Sequence, residues 1–151
     1  MHPWRGEKNG GKIIISNFTI DALLVSQFSD KDTVLLEIHK GHKIFYAASV
    51  YMDYNDPIVN NLQTLEQTLD LTKGAKLRVA MDSNARSTIC HDTTTNNTGK
   101  PLEKFIAGNQ LYIINEDSPM RTFQSSRGTS NIYVTIVNNP MLADIIHWEI
   151  A

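Results

Sequence analysis

An acid, a carboxamide and a cation follow one another at alternate positions, Asp82, Asn84 and Arg86, directly after the alternating apolar run Lys76–Met81 in the segment KLRVAMDSNARS. In an open α/β sheet, ligands gather beyond the carboxyl ends of the strands, so these three residues stand where a site would be built. The chemistry they suit is that of a phosphate ester. A carboxylate can hold Mg²⁺ through oxygen, an amide can position a phosphate or a water, and a guanidinium can neutralise a non-bridging oxygen.

The elements that must position them are read from periodicity and punctuation. Lys76–Met81 alternates, with Leu77, Val79 and Met81 on one face and Arg78 and Ala80 on the other. Upstream, Thr33–His39 and Lys43–Met52 read as two strands joined at Gly41, a hairpin whose second strand is apolar enough to be central and covered on both faces. Asp56-Pro57 offers an N-cap and a first-turn proline for a helix carrying Ile58, Leu62, Leu65 and Leu69, ended by Gly74. Thr93–Gly99 reads as a solvated loop, and Pro101 opens a second helix with Leu102, Phe105 and Ile106 inside. Ile13–Ile15, Ala22–Phe28, Leu111–Ile114, Asn131–Val137 and Ile145–Ile150 complete the strand candidates. Strands alternating with helices after Lys43 predict βαβ units and a mixed sheet, an α/β (α+β) domain over residues 13–151 behind a loose arm at 1–12.

The bulk numbers narrow the classes. A chain of 151 residues suffices for one domain with a real core. At 41% hydrophobic and 20% charged it has the composition of an ordinary globular protein. No apolar run has the length of a membrane span and the start lacks a secretory signal, so no membrane partner and a nuclear or cytoplasmic setting are expected. A single cysteine, Cys90, excludes an internal disulfide and a thiolate zinc cluster. The formal charge of −2 confines any nucleic-acid contact to a local surface.

Each candidate has an ordinary reading beside the chemical one. Asp and Asn after a strand most often form turns or caps. Arg86 and Arg127 could contact phosphates, although single exposed arginines usually only solvate a surface. Cys90-His91-Asp92 has metal-ligand residue types, but three adjacent side chains rarely converge on one ion, which favours a solvated loop. Gly99-Lys100 lacks the earlier glycine and the hydroxyl of a phosphate loop, and Glu116-Asp117 reads as a cap or exposed turn.

The order of motifs resembles the endonuclease–exonuclease–phosphatase superfamily: VYMDYND around Tyr51, a helix, VAMDSNARS, TGKPLEKFIAGNQLYIINED, and RTFQSSRGTSNIYVTIVN. More narrowly it looks like the apurinic-type endonuclease domain of insect non-LTR retrotransposons, over the region from Thr33 to Ile150. The resemblance implies a four-layer sandwich of two mixed sheets flanked by helices, Mg²⁺-dependent phosphodiester hydrolysis, and DNA as the substrate that is nicked. It makes Asp82 the residue that activates or positions the attacking water and Asn84 a contact to the scissile phosphate. It brings Tyr51 to the phosphate and Ser130 near the site, and it leaves the metal ligands of this chain unknown. Three positions depart from the pattern. No glutamate of a Q-E-P-like segment precedes Tyr51, Tyr133 stands where the family has an aspartate after isoleucine, and the closing S-D-H motif is not reached before Ala151. A phenol with a reference pKa of about 10 supplies no standing negative charge. The expectation is an incomplete domain with impaired nicking or, alternatively, an inactive remnant with at most weak nucleic-acid binding. A lipid or inositol phosphatase shares the DSNA signature and is a third option. If the first strands of the domain are lacking, Val34–Ile38 and Ile44–Tyr51 are expected as unpaired, exposed strands.

Overall fold

The computed structural model of the chain describes residues 13, 19–115, 123–126, 128–130 and 132–144, with side chains described for all of these except 123–125, 129 and 130. The expected arm at 1–12, the strands at Ile13–Ile15 and Ile145–Ile150, and Arg127, Glu116 and Asp117 lie wholly or largely outside the described residues.

The strands are β1 (Asp21–Leu24), β2 (Thr33–Lys40), β3 (Lys43–Tyr51), β4 (Leu77–Asp82), β5 (Tyr112–Ile113), β6 (Phe123–Ser125), β7 (Gly128–Ser130) and β8 (Tyr133–Val137); the helices are α1 (Ile58–Leu71), α2 (Gly99–Gly108) and the short α3 (Asn139–Leu142). Six strands form one mixed sheet in the order β1-β2-β3-β4-β8-β5, and β6 and β7 form a separate two-stranded ribbon. Among the described residues there is thus one large sheet with helices packed on one face, where the resemblance implied two sheets in four layers. No described helix is long and apolar enough to cross a membrane.

The expected hairpin is present, β2 pairing antiparallel to β3 from Thr33↔Val50 to Lys40↔Lys43 across a turn in which Gly41 takes φ +61. The chain then crosses through α1 so that β4 lies parallel to β3, which is the expected βαβ unit. The far edge of β4 is covered by antiparallel β8. β1 pairs along β2, so neither β2 nor β3 is an unpaired edge, contrary to the expectation for Val34–Ile38 and Ile44–Tyr51.

Alternation decides which face is buried. Leu35, Ala48, Val50, Leu77, Val79, Met81, Val134 and Ile136 share one face and pack on Leu62 and Leu65 of α1 and Leu102 and Ile106 of α2. The opposite face is only partly covered. Phe45, Ala47, Ser49 and Tyr51 are half-buried and Arg78 and Ala80 exposed, so β3 is central in the sheet but not enclosed on both faces.

Two helix starts differ from the sequence reading. α1 begins at Ile58 with Pro57 itself at the N-cap in extended conformation and no side-chain cap, because Asp56 is held in the preceding turn through its N–H to the Asp53 carbonyl. α2 begins at Gly99, ahead of Pro101, which occupies its first turn. Gly99 is needed there for space, since a Cβ would lie 1.9 Å from the Arg86 carbonyl oxygen. Gly99→Ala is expected to cost at least about 2 kcal/mol in chemical denaturation, by overpacking against backbone. Gly108→Ala, with nothing within 4 Å of the added carbon, should stay within about 1 kcal/mol of the unaltered chain.

Candidate active site

The pleat and register bring three side chains into one row at the end of β4. Tyr51 of β3 pairs with Asp82, and Asp82 pairs with Tyr133 of β8, all on the face away from the helices. Asp82 is half-buried, and its Oδ1 is shielded from solvent with no hydrogen-bond partner. Burial pushes its pKa up, and the backbone N–H of Asn84 pulls only partly the other way. Both neighbours are phenols. Burial raises the Tyr51 hydroxyl, with the carboxylates of Asp53, Asp82 and Asp32 adding to it and a hydrogen bond with Asn84 opposing. Burial and then Asp82 raise Tyr133 as well, so both phenols stay neutral, donor-bearing groups at neutral pH.

Asn84 stands at φ +46, a left-handed conformation that asparagine tolerates better than most side chains. Its Nδ2 donates to the Met52 carbonyl oxygen at 2.7 Å. The carboxamide therefore ties the rim of β3 to the rim of β4. Ser83, fully buried, completes the corner on the other side, its N–H and Oγ both donating to the Ile132 carbonyl oxygen at 2.8 Å.

Arg86 goes elsewhere. Its Nε and Nη2 donate to Asp92 Oδ1 at 3.1 and 2.8 Å, and Nη2 also reaches Thr93 Oγ1. The Asp92 side chain is 2% exposed, and the pairing raises the guanidinium pKa further. This ion pair, not a phosphate, is the partner that the structure gives Arg86. The Cys90-His91-Asp92 segment is accordingly not a solvated loop. Cys90 is buried in the core with its thiol pushed up to about 11 by burial, His91 Nε2 meets the Asn115 carbonyl oxygen at 3.0 Å, and Asp92 holds Arg86. The three side chains diverge, and the thiol is no nucleophile at neutral pH. The loop at Thr93–Gly99 is solvated only in part. Thr95 Oγ1 and Ser87 Oγ both donate to Glu103 Oε1, and Asn96 Oδ1 accepts from the Arg86 and Gly99 N–H groups.

Two residues that sequence reasoning passed over hold β8 in register. Buried Asn115 accepts from Thr135 N–H at 2.8 Å and donates to the Tyr133 carbonyl oxygen at 2.9 Å. Asn138 accepts from Leu77 N–H and donates to the Ala75 carbonyl oxygen at 2.6 Å while capping α3. The N-N-P run at Asn138 was a readable cap signal, whereas Asn115 carried none. Ser130 ends β7, and its side chain is outside the described set.

The donor set bears on a divalent cation. Mg²⁺ is commonly held by one or two carboxylates together with substrate phosphates. The unpartnered Asp82 Oδ1 fits one such position. Among the described residues no group of three His, Cys, Asp or Glu converges to complete a protein cage.

A six-stranded mixed sheet flanked by helices, with an acid and an amide at the rim of a central strand, defines a domain of the endonuclease–exonuclease–phosphatase type. The family model described as endonuclease–reverse transcriptase matches residues 45–151, and the chain belongs to that family. It is 28% identical over 134 residues to the retrovirus-related Pol polyprotein of the type-1 retrotransposable element R1 of Bradysia coprophila, a match covering 83% of this chain and 13% of that protein. The fold is that of the endonuclease domain of TRAS1, a telomere-specific non-LTR retrotransposon, with a TM-score of 0.81 at 23% identity, covering 88% of this chain and 62% of the other. A mannosyl-6-phosphatase of Bacteroides thetaiotaomicron shares the fold more distantly, with a TM-score of 0.53 at 14% identity over 71% of this chain and 42% of its own. The chain thus spans less than two thirds of the first relatives it matches.

Two stability measurements check this geometry. Arg86→Ala leaves the Asp92 carboxylate buried without its cation and is expected to cost about 3 kcal/mol, with Arg86→Lys recovering little because the forked contact is lost. For Asp82 the folded pKa lies above the unfolded one, so the native state binds the proton more tightly and stability falls as pH rises through that window. Asp82→Asn should therefore melt higher than the unaltered chain at neutral pH. The gap should shrink as pH falls below the ordinary carboxylate range, and a constant gap across a melting series would contradict the assignment.

Proposed function

We propose that this chain is a retrotransposon endonuclease domain that hydrolyses a DNA phosphodiester with Mg²⁺, at a rate reduced by the phenol at position 133, and that it works in the nucleus or the cytoplasm. The observation that carries the reading is the Asp82 carboxylate, its Oδ1 shielded and unpartnered, set between two phenols at the rim of the sheet. Asp82 takes the proton of the attacking water. The Tyr51 and Tyr133 hydroxyls donate to non-bridging phosphate oxygens, and Asn84 fixes the spacing of the β3 and β4 rims. Mg²⁺, held on the protein side by Asp82, would neutralise charge on the phosphate when bound. Arg127 and Ser130 remain proposed contacts to the DNA backbone.

A second reading, an inactive remnant that binds nucleic acid weakly, is favoured by one feature: Asp82 has phenols, not an acid or an imidazole, as cross-strand neighbours on both sides. General acid–base groups contribute about 10²- to 10⁴-fold, and groups acting as a unit fail together. Nicking of supercoiled plasmid with Mg²⁺ separates the two. Slow nicking that drops at least about 100-fold in Asp82→Ala, with DNA binding by fluorescence anisotropy kept within about threefold, supports the enzyme. Binding without nicking supports the remnant, and phosphate release from a monoester without nicking moves the chain to the phosphatases.

A further inference from the structure

We propose that Tyr133 determines the metal requirement of this site: it withholds a second carboxylate beside Asp82, so that among the described residues a divalent cation meets a single protein carboxylate and binds only together with a substrate phosphate. The inference rests on the nucleic-acid reading above for the identity of that phosphate. The assignment of Tyr133 itself rests on the sheet register.

Directly opposed side chains of an antiparallel pair have their Cβ atoms about 4.5–5.5 Å apart, which is bridging distance for two carboxylates around one cation. Asp82 and Tyr133 are such a pair, and Tyr133 is 42% exposed, so this position faces solvent on the open side of the sheet. The other acids near the row are committed. Asp53 Oδ1 accepts from the Asn55 N–H at 2.9 Å and holds its own turn, and Asp32 Oδ2 pairs with Lys31 at 2.8 Å. Asn84 Nδ2 donates to the Met52 carbonyl oxygen at 2.7 Å. Among the described residues that leaves the Asp82 carboxylate on the protein side, and cation affinity in oxygen sites is set largely by how many charged ligands converge.

Mn²⁺ titration followed by electron paramagnetic resonance tests this without relying on activity. The unaltered chain alone should take up no Mn²⁺ at concentrations below about 1 mM, as expected for a site with a single charged ligand. Tyr133→Asp should bind at least about tenfold more tightly in the absence of DNA, Tyr133→Asn should not, and Asp82→Asn combined with Tyr133→Asp should abolish the gain. Circular dichroism on each variant confirms the fold. Micromolar Mn²⁺ binding by the unaltered chain overturns the proposal whatever the variants do, as does a folded Tyr133→Asp with no gain. A parallel titration with a short DNA duplex addresses the substrate separately. Uptake by the unaltered chain only with DNA supports the shared cation. No uptake with DNA, beside a clear gain in Tyr133→Asp alone, removes the nucleic-acid reading and leaves the assignment of Tyr133 standing.

Discussion

The site depends on β4 being hydrogen-bonded along both edges, parallel to β3 on one side and antiparallel to β8 on the other. Only that pairing puts Tyr51, Asp82 and Tyr133 in one line. Its register is fixed by burial, because Leu77, Val79 and Met81 must face α1 and α2 while their alternate neighbours face away. A slip of one residue would turn Asp82 into the core and Met81 to solvent, so the hydrophobic face of the sheet specifies the chemical face without touching it. The polar ties at both ends of the pairing, Ser83 to Ile132 and Asn138 to Leu77 and Ala75, stop the strands at the right place.

Around that line the chain spends its polar residues on rigidity. The segment from Ser83 to Gly99 has little regular structure, only the single 3₁₀ turn Thr88–Cys90, yet it is bound by the Arg86–Asp92 pair, by Glu103 accepting from Ser87 and Thr95, and by Asn96 bridging the Arg86 and Gly99 N–H groups. A loop of this kind would otherwise blur the position of Asn84, whose left-handed backbone needs external support. The consequence is a division of labour. Polar groups next in sequence to the motif hold it still, and the row at the strand ends sets one carboxylate between two phenols. A shielded carboxylate oxygen with no partner is unfavourable for stability, and sites that bind or react are where such arrangements persist.

Much of the scaffold was legible in the sequence because it is written in local periodicity. The alternation of Lys76–Met81, the helical spacing of Ile58, Leu62, Leu65 and Leu69, and the hairpin at Gly41 each report a face to be buried, and each element formed. What was not legible depends on contacts across the fold. Arg86 has the residue type of a phosphate ligand, and only the folded loop shows that Asp92 has claimed it. Asp56 has the type and place of a helix cap, but its N–H is committed to the turn at Asp53 and Pro57 takes the N-cap position. Cys90, His91 and Asp92 look solvated as a string, and the left-handed backbone at His91 sends them in three directions. Asn115 carries no periodic or capping signal at all; its role exists only once β5 and β8 are side by side.

The fold does not by itself decide the reaction, since the same architecture at low identity carries a sugar phosphatase as well as a retrotransposon endonuclease. What separates outcomes is the chemistry at the rim of a few strands. In this chain the strand position opposite Asp82 carries a neutral hydroxyl, Tyr133. A phenol can donate a hydrogen bond, where an ionised carboxylate can only accept one. The phenol carries no standing negative charge at neutral pH, so Asp82 is the one charged member of the row. The exchange of chemistry at that single position leaves the sheet itself unaltered, since Tyr133 lies on the face away from the packed helices.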